Sequence, residues 1–128
     1  MSRFTRLDRP ARGALAYRRG ARAEERVANA LAREGWTILD RRVRMAGGEI
    51  DIIATYGTTL AFIEVKARQS AEEAAFALGP AQQARLVEAA RHWLAQHEVE
   101  TIGSVRFDVV TVDKKGAMRR IADAFREI

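Results

Sequence analysis

Cysteine is absent from the 128 residues, which removes disulfides, zinc-finger thiolate centres and cysteine nucleophiles together and agrees with a reducing compartment. Proline occurs twice and aromatic residues make up 7% of the chain. Lysine is scarce too, three residues against nineteen arginines, a ratio that codon composition alone can produce. No apolar run approaches the roughly 18 residues needed to cross a bilayer. Residues 1–22 also hold no uninterrupted apolar stretch of the secretory kind. What is present is 48% hydrophobic and 30% charged residues, enough for a single core in a domain of ordinary size. The expectation is a soluble, cytoplasmic globular protein with no membrane association and no small-molecule cofactor.

The charge is unevenly placed. Residues 1–22 carry seven arginines against Asp8 alone, while the rest of the chain is one charge negative, so the net +5 belongs to the start of the chain. With Pro10, Gly13 and Gly20 and little apolar periodicity, residues 1–19 read as a flexible basic arm ahead of one domain over 20–128. Arginines that neutralise phosphates release counterions, so Arg18, Arg19 and Arg22 are candidate nucleic-acid contacts, with Tyr17 as a base-stacking residue among them. An organelle transit peptide is also arginine-rich and acid-poor, but richer in serine.

Beyond the arm, Val27, Ala28, Leu31 and Ala32 recur at helical spacing over Arg22–Glu34, with Gly35 as the stop. Trp36–Arg44, Glu49–Tyr56 and Leu60–Lys66 read as three strands joined by glycine turns. Gly79-Pro80 opens a second helix with Leu86, Val87, Ala90, Trp93 and Leu94 as its apolar stripe, ending near His97. Val105–Val112 is a fourth strand and Arg119–Ala122 a short fifth. The order αβββαβ predicts an α/β fold, a small mixed sheet flanked by helices. Residues 69–78 read as a connector or a flap over substrate. Trp36 and Trp93 are expected in the core, and His92 and His97, about 140° apart around the helix, at the surface.

The chemistry lies in acids set within apolar strands. Asp51 interrupts Glu49-Ile50-Asp51-Ile52-Ile53, and Glu64-Val65-Lys66 follows after a short turn. A buried carboxylate is costly without a partner. Antiparallel pairing brings Asp51 beside Glu64, and strand alternation sets Glu64 and Lys66 on one face. One lysine cannot balance two carboxylates. A hard divalent cation can, with Asp51, Glu64 and the Val65 carbonyl as ligands. Glu24 shares the stripe of Val27, Ala28 and Leu31 and so faces the sheet as a further metal or water ligand. Such a group suits phosphodiester hydrolysis, with Lys66 as the compact cation at the reacting phosphate.

These residues resemble the PD-(D/E)xK nuclease superfamily. The wider set Gly48-Glu49-Ile50-Asp51, Phe62-Ile63-Glu64-Val65-Lys66-Ala67-Arg68 and Arg106-Phe107-Asp108-Val109-Val110 resembles the small bacterial YraN-like family within it. The resemblance implies a restriction-endonuclease-like fold similar to archaeal Holliday junction resolvases, with Glu24, Asp51, Glu64 and Lys66 at the catalytic positions. It implies an endonuclease using Mg²⁺ or Mn²⁺ on DNA, branched or recombination intermediates included, and by analogy a homodimer. Arg42, Arg44, Arg68 and Gln82 would then join Arg18, Arg19 and Arg22 on the DNA backbone. Two positions depart from the pattern: Gln82 stands where relatives carry lysine, and Arg42 where they carry asparagine.

Two other readings compete. In one the chain keeps the nuclease fold but only binds nucleic acid. In the other the acids form a structural network with Lys66 and Arg68, and the sheet edge or an apolar patch docks a partner; Asp108 is read separately as pairing with Arg106. Glu49 is expected at the surface, where its strand ends.

Overall fold

The computed structural model describes residues 12–67, 79–99 and 102–125, with side chains from residue 22 onward. Its elements are α1 (Arg12–Arg33), β1 (Thr37–Met45), β2 (Gly48–Tyr56), β3 (Thr59–Ala67), α2 (Pro80–Gln96), β4 (Ser104–Val112) and β5 (Met118–Phe125). The sheet runs β1-β2-β3-β4-β5 in space; β3 and β4 are parallel and the other neighbours antiparallel. The fold is thus the mixed α/β sheet with two helices that the sequence indicates, lengthened by a full fifth strand. Residues 1–11, Arg68 and the 69–78 segment lie outside the described residues, as do the side chains of Tyr17, Arg18 and Arg19.

α1 begins at Arg12, so residues 12–19, read from the sequence as part of an arm, are helical backbone. It ends as Gly35 indicates. Gly35 adopts φ 102°, its amide donates to the Ala32 carbonyl at 3.1 Å, and the Trp36 amide donates to Leu31 at 3.0 Å. That bond pair is the Schellman arrangement, which needs a residue with positive φ and delivers Trp36 to a defined place.

The strands β2 and β3 read as near-continuous apolar runs because both of their faces are covered. On one face Val27 and Leu31 of α1 meet Ile52, Ile63 and Val110. On the other, Leu86, Ala90 and Trp93 of α2 meet Ile53, Leu60, Phe62 and Phe107. Phe62 lies edge-on to Trp93 at 5.8 Å and stacked on Phe107 at 5.6 Å. Full burial of such a side chain contributes about 1.5–3 kcal/mol. A two-residue turn joins β1 to β2, and a Cβ on its Gly47 would come within 2.9 Å of Glu88 Cγ on α2, so only glycine lets the hairpin close on that helix. Parallel strands need a long crossover, and α2 is part of it. Trp93 is core; Trp36 is half-buried, a correction to its expected place.

One irregularity positions the site. Ile50 packs in the α2 core and Ile52 in the α1 core, although alternate residues of a regular strand share a face. β2 therefore turns over at Asp51. Across from it, between the pairs Arg41–Ile52 and Val43–Ile50, stands Arg42 with φ 53°. Left-handed backbone at a non-glycine residue is uncommon, and such irregularities re-aim side chains near functional sites.

Candidate active site

The ladder between β2 and β3 runs up to Ile52–Ile63, leaving Asp51 and Glu64 as neighbours just past its end. Asp51 reaches across: its Oδ2 accepts the Val65 backbone N–H at 2.8 Å. Glu64 is buried, and its Oε2 lies 3.1 Å from Lys66 Nζ, so alternation along β3 places the two on one side. That side faces α2, whose first turn supplies Gln82, with Nε2 donating to the same Glu64 oxygen at 3.1 Å.

Glu24 approaches from the other face. It is buried on the inward stripe of α1, and its Oε1 accepts from Arg42 Nε at 2.7 Å. The left-handed turn at Arg42 thus sets a guanidinium over a carboxylate of the first helix. Burial holds the Glu24 carboxyl above the usual carboxylate range despite the Arg42 bond, with Asp51 adding to the rise. Asp51 is pushed up from 3.8 to about 7, first by burial and next by the Glu64 charge, against which the Val65 amide pulls down. Two carboxylates so crowded give up a proton reluctantly.

The donor set can be weighed against a cation on this geometry. Among the described residues no group of three His, Cys, Asp or Glu side chains is arranged to hold a metal ion, and Glu24 is turned to Arg42. Asp51 and Glu64, with the Val65 backbone beside them, remain. Mg²⁺ commonly takes one or two carboxylates and completes its shell with water and phosphate oxygens, so two acids in mutual repulsion fit it.

Of the expected nucleic-acid contacts, Gln82 and Arg42 lie within the cluster and Arg44 is exposed on β1 opposite Glu49. Arg22 lines a cleft of about 220 Å³ that also holds Arg26, Lys114 and Ala67, the residue after Lys66. Arg26 and Lys114 were not singled out from the sequence. Arg26 stands four residues after Arg22, so helical spacing alone puts both on one face. Arg68 lies outside the described residues. Glu49 and His97 are exposed and His92 is partly so.

The molecule is therefore a mixed α/β protein with an acid pair and a lysine where two central strands part. A family model described as "Uncharacterised protein family UPF0102" matches residues 23–112, and the chain belongs to that family. It is 52% identical over 115 residues to a UPF0102 protein of Granulibacter bethesdensis, covering 90% of this chain and 73% of that one. Similar relatives are a UPF0102 protein of Parvibaculum lavamentivorans, 41% identical over 97% of this chain and 93% of that one, and one of Rhodopseudomonas palustris, 41% identical over 86% and 85%. Among the described residues no helix is long and apolar enough to cross a membrane.

Proposed function

We propose that this protein is a divalent-cation-dependent endonuclease of the PD-(D/E)xK type, hydrolysing phosphodiester bonds of DNA in the cytoplasm, with branched recombination or repair intermediates as substrate and a second copy of the chain as partner. The observation that carries the reading is the meeting of Asp51, Glu64 and Lys66 beyond the end of the β2–β3 ladder. Asp51, Glu64 and the Val65 carbonyl would hold the cation. When bound, Mg²⁺ or Mn²⁺ supplies positive charge against the phosphate and acidifies water at neutral pH. Lys66, oriented by Glu64, presents its ammonium to the phosphate oxygens. Gln82 fixes the Glu64 side chain and offers a second amide hydrogen to the same phosphate. Glu24 accepts a hydrogen bond from the attacking water, with Arg42 moving from it to the DNA backbone. Arg22, Arg26 and Lys114 receive the adjoining phosphates.

The test is cleavage of labelled duplex, single-stranded and four-way-junction DNA with Mg²⁺ or Mn²⁺. Cleavage by the wild type that disappears in Lys66→Ala and in chelator supports the assignment. Equal cleavage by wild type and Lys66→Ala identifies a contaminant and rejects it.

A second reading, a nucleic-acid-binding module that cuts nothing, draws on the occupied state of Glu24 and on a glutamine, not a lysine, beside Glu64. It predicts salt-dependent DNA binding whose slope shrinks when residues 1–19 are removed, with no metal-stimulated cleavage.

A further inference from the structure

Just past the C-terminal end of α1 lies a second arrangement that the active-site chemistry does not use. Asp108 is fully buried in β4, and both Arg106 and Arg120 converge on it. Each spends Nε and Nη2 on its carboxylate, with the Nη2 contacts at 2.8 Å. One interior carboxylate thus fixes two guanidiniums that are themselves about a quarter exposed. They lie over the Trp36 ring, at 4.6 Å for Arg120 and 5.7 Å for Arg106. Tyr56 adds a second ring 5.4 Å from Trp36 and is 54% exposed. The four side chains border a depression of about 430 Å³, with Glu34 on its rim.

We infer that this depression is a second nucleic-acid subsite, which takes one unstacked nucleotide of single-stranded DNA with the base against Tyr56 and the phosphate against Arg106 and Arg120. The volume is of the scale that small planar ligands occupy. Base stacking on an aromatic ring joined to a fixed cationic edge is how single strands are held without sequence preference. A duplex keeps its base faces covered, so the exposed Tyr56 ring selects an unpaired strand. Glu34, whose carboxylate lies 4.0 Å from Arg120 Nη1, opposes the phosphate and weakens binding. The inference rests on DNA being the ligand, and not on cleavage.

The experiment is a titration of the full-length protein with short oligothymidylate in chelator, followed by the indole resonance of Trp36. The indole of Trp93, closed in the core and without a hydrogen-bond partner among the described residues, is the internal control. The expected result is saturable, salt-sensitive movement of the Trp36 signal alone. Tyr56→Ala weakens it roughly fivefold or more, and Glu34→Gln strengthens it. Equal movement with a polyglutamate peptide of the same charge, or identical affinities in wild type, Tyr56→Ala and Glu34→Gln, overturns the inference. A protein that binds in this way but does not cut rejects the nuclease reading and keeps the subsite, and the converse result does the reverse.

Discussion

Arg42 Nε stands 2.7 Å from Glu24 Oε1, so a residue in left-handed backbone on the outer strand β1 closes over a buried acid of α1. Two separable consequences follow from that geometry. A charge-assisted hydrogen bond to a buried group contributes about 1.5–3 kcal/mol, which Arg42→Ala removes. The Glu24 carboxyl already titrates above its ordinary value, burial being the main cause, and without the arginine it rises further. A group raised in the folded state makes stability fall as pH climbs from its unfolded value through its folded one. The loss of Tm in Arg42→Ala is therefore expected to grow as pH rises above the ordinary glutamate value of 4.5, and adding Glu24→Gln is expected to abolish that trend. Arg42→Gly keeps the deficit in pairing but accepts φ 53° without strain, and is expected to be about 1 kcal/mol more stable than Arg42→Ala.

Asp51 extends the same logic to the acid pair. Its pKa of about 7 against 3.8 means that the metal-free protein loses stability as pH rises from about 4 to about 7, by at most about 1.4 kcal/mol for each pH unit crossed. Asparagine can still accept the Val65 N–H, so Asp51→Asn is expected to match or exceed wild-type stability at pH 8 in chelator and to flatten the pH dependence. Mn²⁺ requires deprotonated ligands and is expected to raise wild-type Tm more at about pH 8 than at about pH 6, and to leave Asp51→Asn unmoved. Calorimetry with Mn²⁺ checks the same point; binding retained by Asp51→Asn would remove Asp51 from the ligand set.

Gln82 and Lys66 both contact Glu64 Oε2 at 3.1 Å. Gln82→Ala is expected to cost about 1 kcal/mol in urea unfolding, the ordinary net value of a hydrogen bond. Gln82→Lys places a second ammonium beside the buried acid. Metal-free stability is expected to rise and Mn²⁺ affinity to fall, while DNA binding gains close to one phosphate contact in its salt dependence.

How far the sequence carries depends on whether the deciding force is local. β2, β3 and α2 are legible because long isoleucine-rich runs, glycine turns and Pro80 at the helix start act within a few residues. The face shared by Glu64 and Lys66 follows from strand alternation alone. The start of α1 is not legible, since Arg18, Arg19, Gly13 and Gly20 obscure its period. Nothing about an arginine announces φ 53°, so the grip of Arg42 on Glu24 is hidden until β1 and α1 are placed together. Trp36 looks like a core residue because it follows a helix stop; the Schellman bond to Leu31 instead leaves it half-buried beneath two arginines. The pairing of Asp108 with Arg106 is visible as i to i+2 spacing on one strand. Its second partner depends on how β5 returns, which the turn at 113–117 and a second left-handed residue, Asp123 at φ 55°, decide.

That second partner makes Asp108 a buried junction between β4 and β5. Burial alone would raise its carboxyl, but hydrogen bonds from Arg106, the Asp123 backbone N–H and Arg120 outweigh it and hold the group below its usual value. A depressed acid contributes stability above its unfolded value and loses it as pH falls through the folded one. Wild-type protein is thus expected to lose this contribution only in strong acid, below about pH 4. Asp108→Ala leaves two arginines facing an empty interior position and removes the acceptor of the Asp123 N–H, so a loss of about 3–5 kcal/mol is expected at neutral pH. Arg120→Ala leaves Arg106 on the carboxylate and is expected to cost less than Asp108→Ala. Urea unfolding of the three proteins decides the matter: equal, small losses in both variants would mean that the two arginines are held by Trp36 and not by the buried acid.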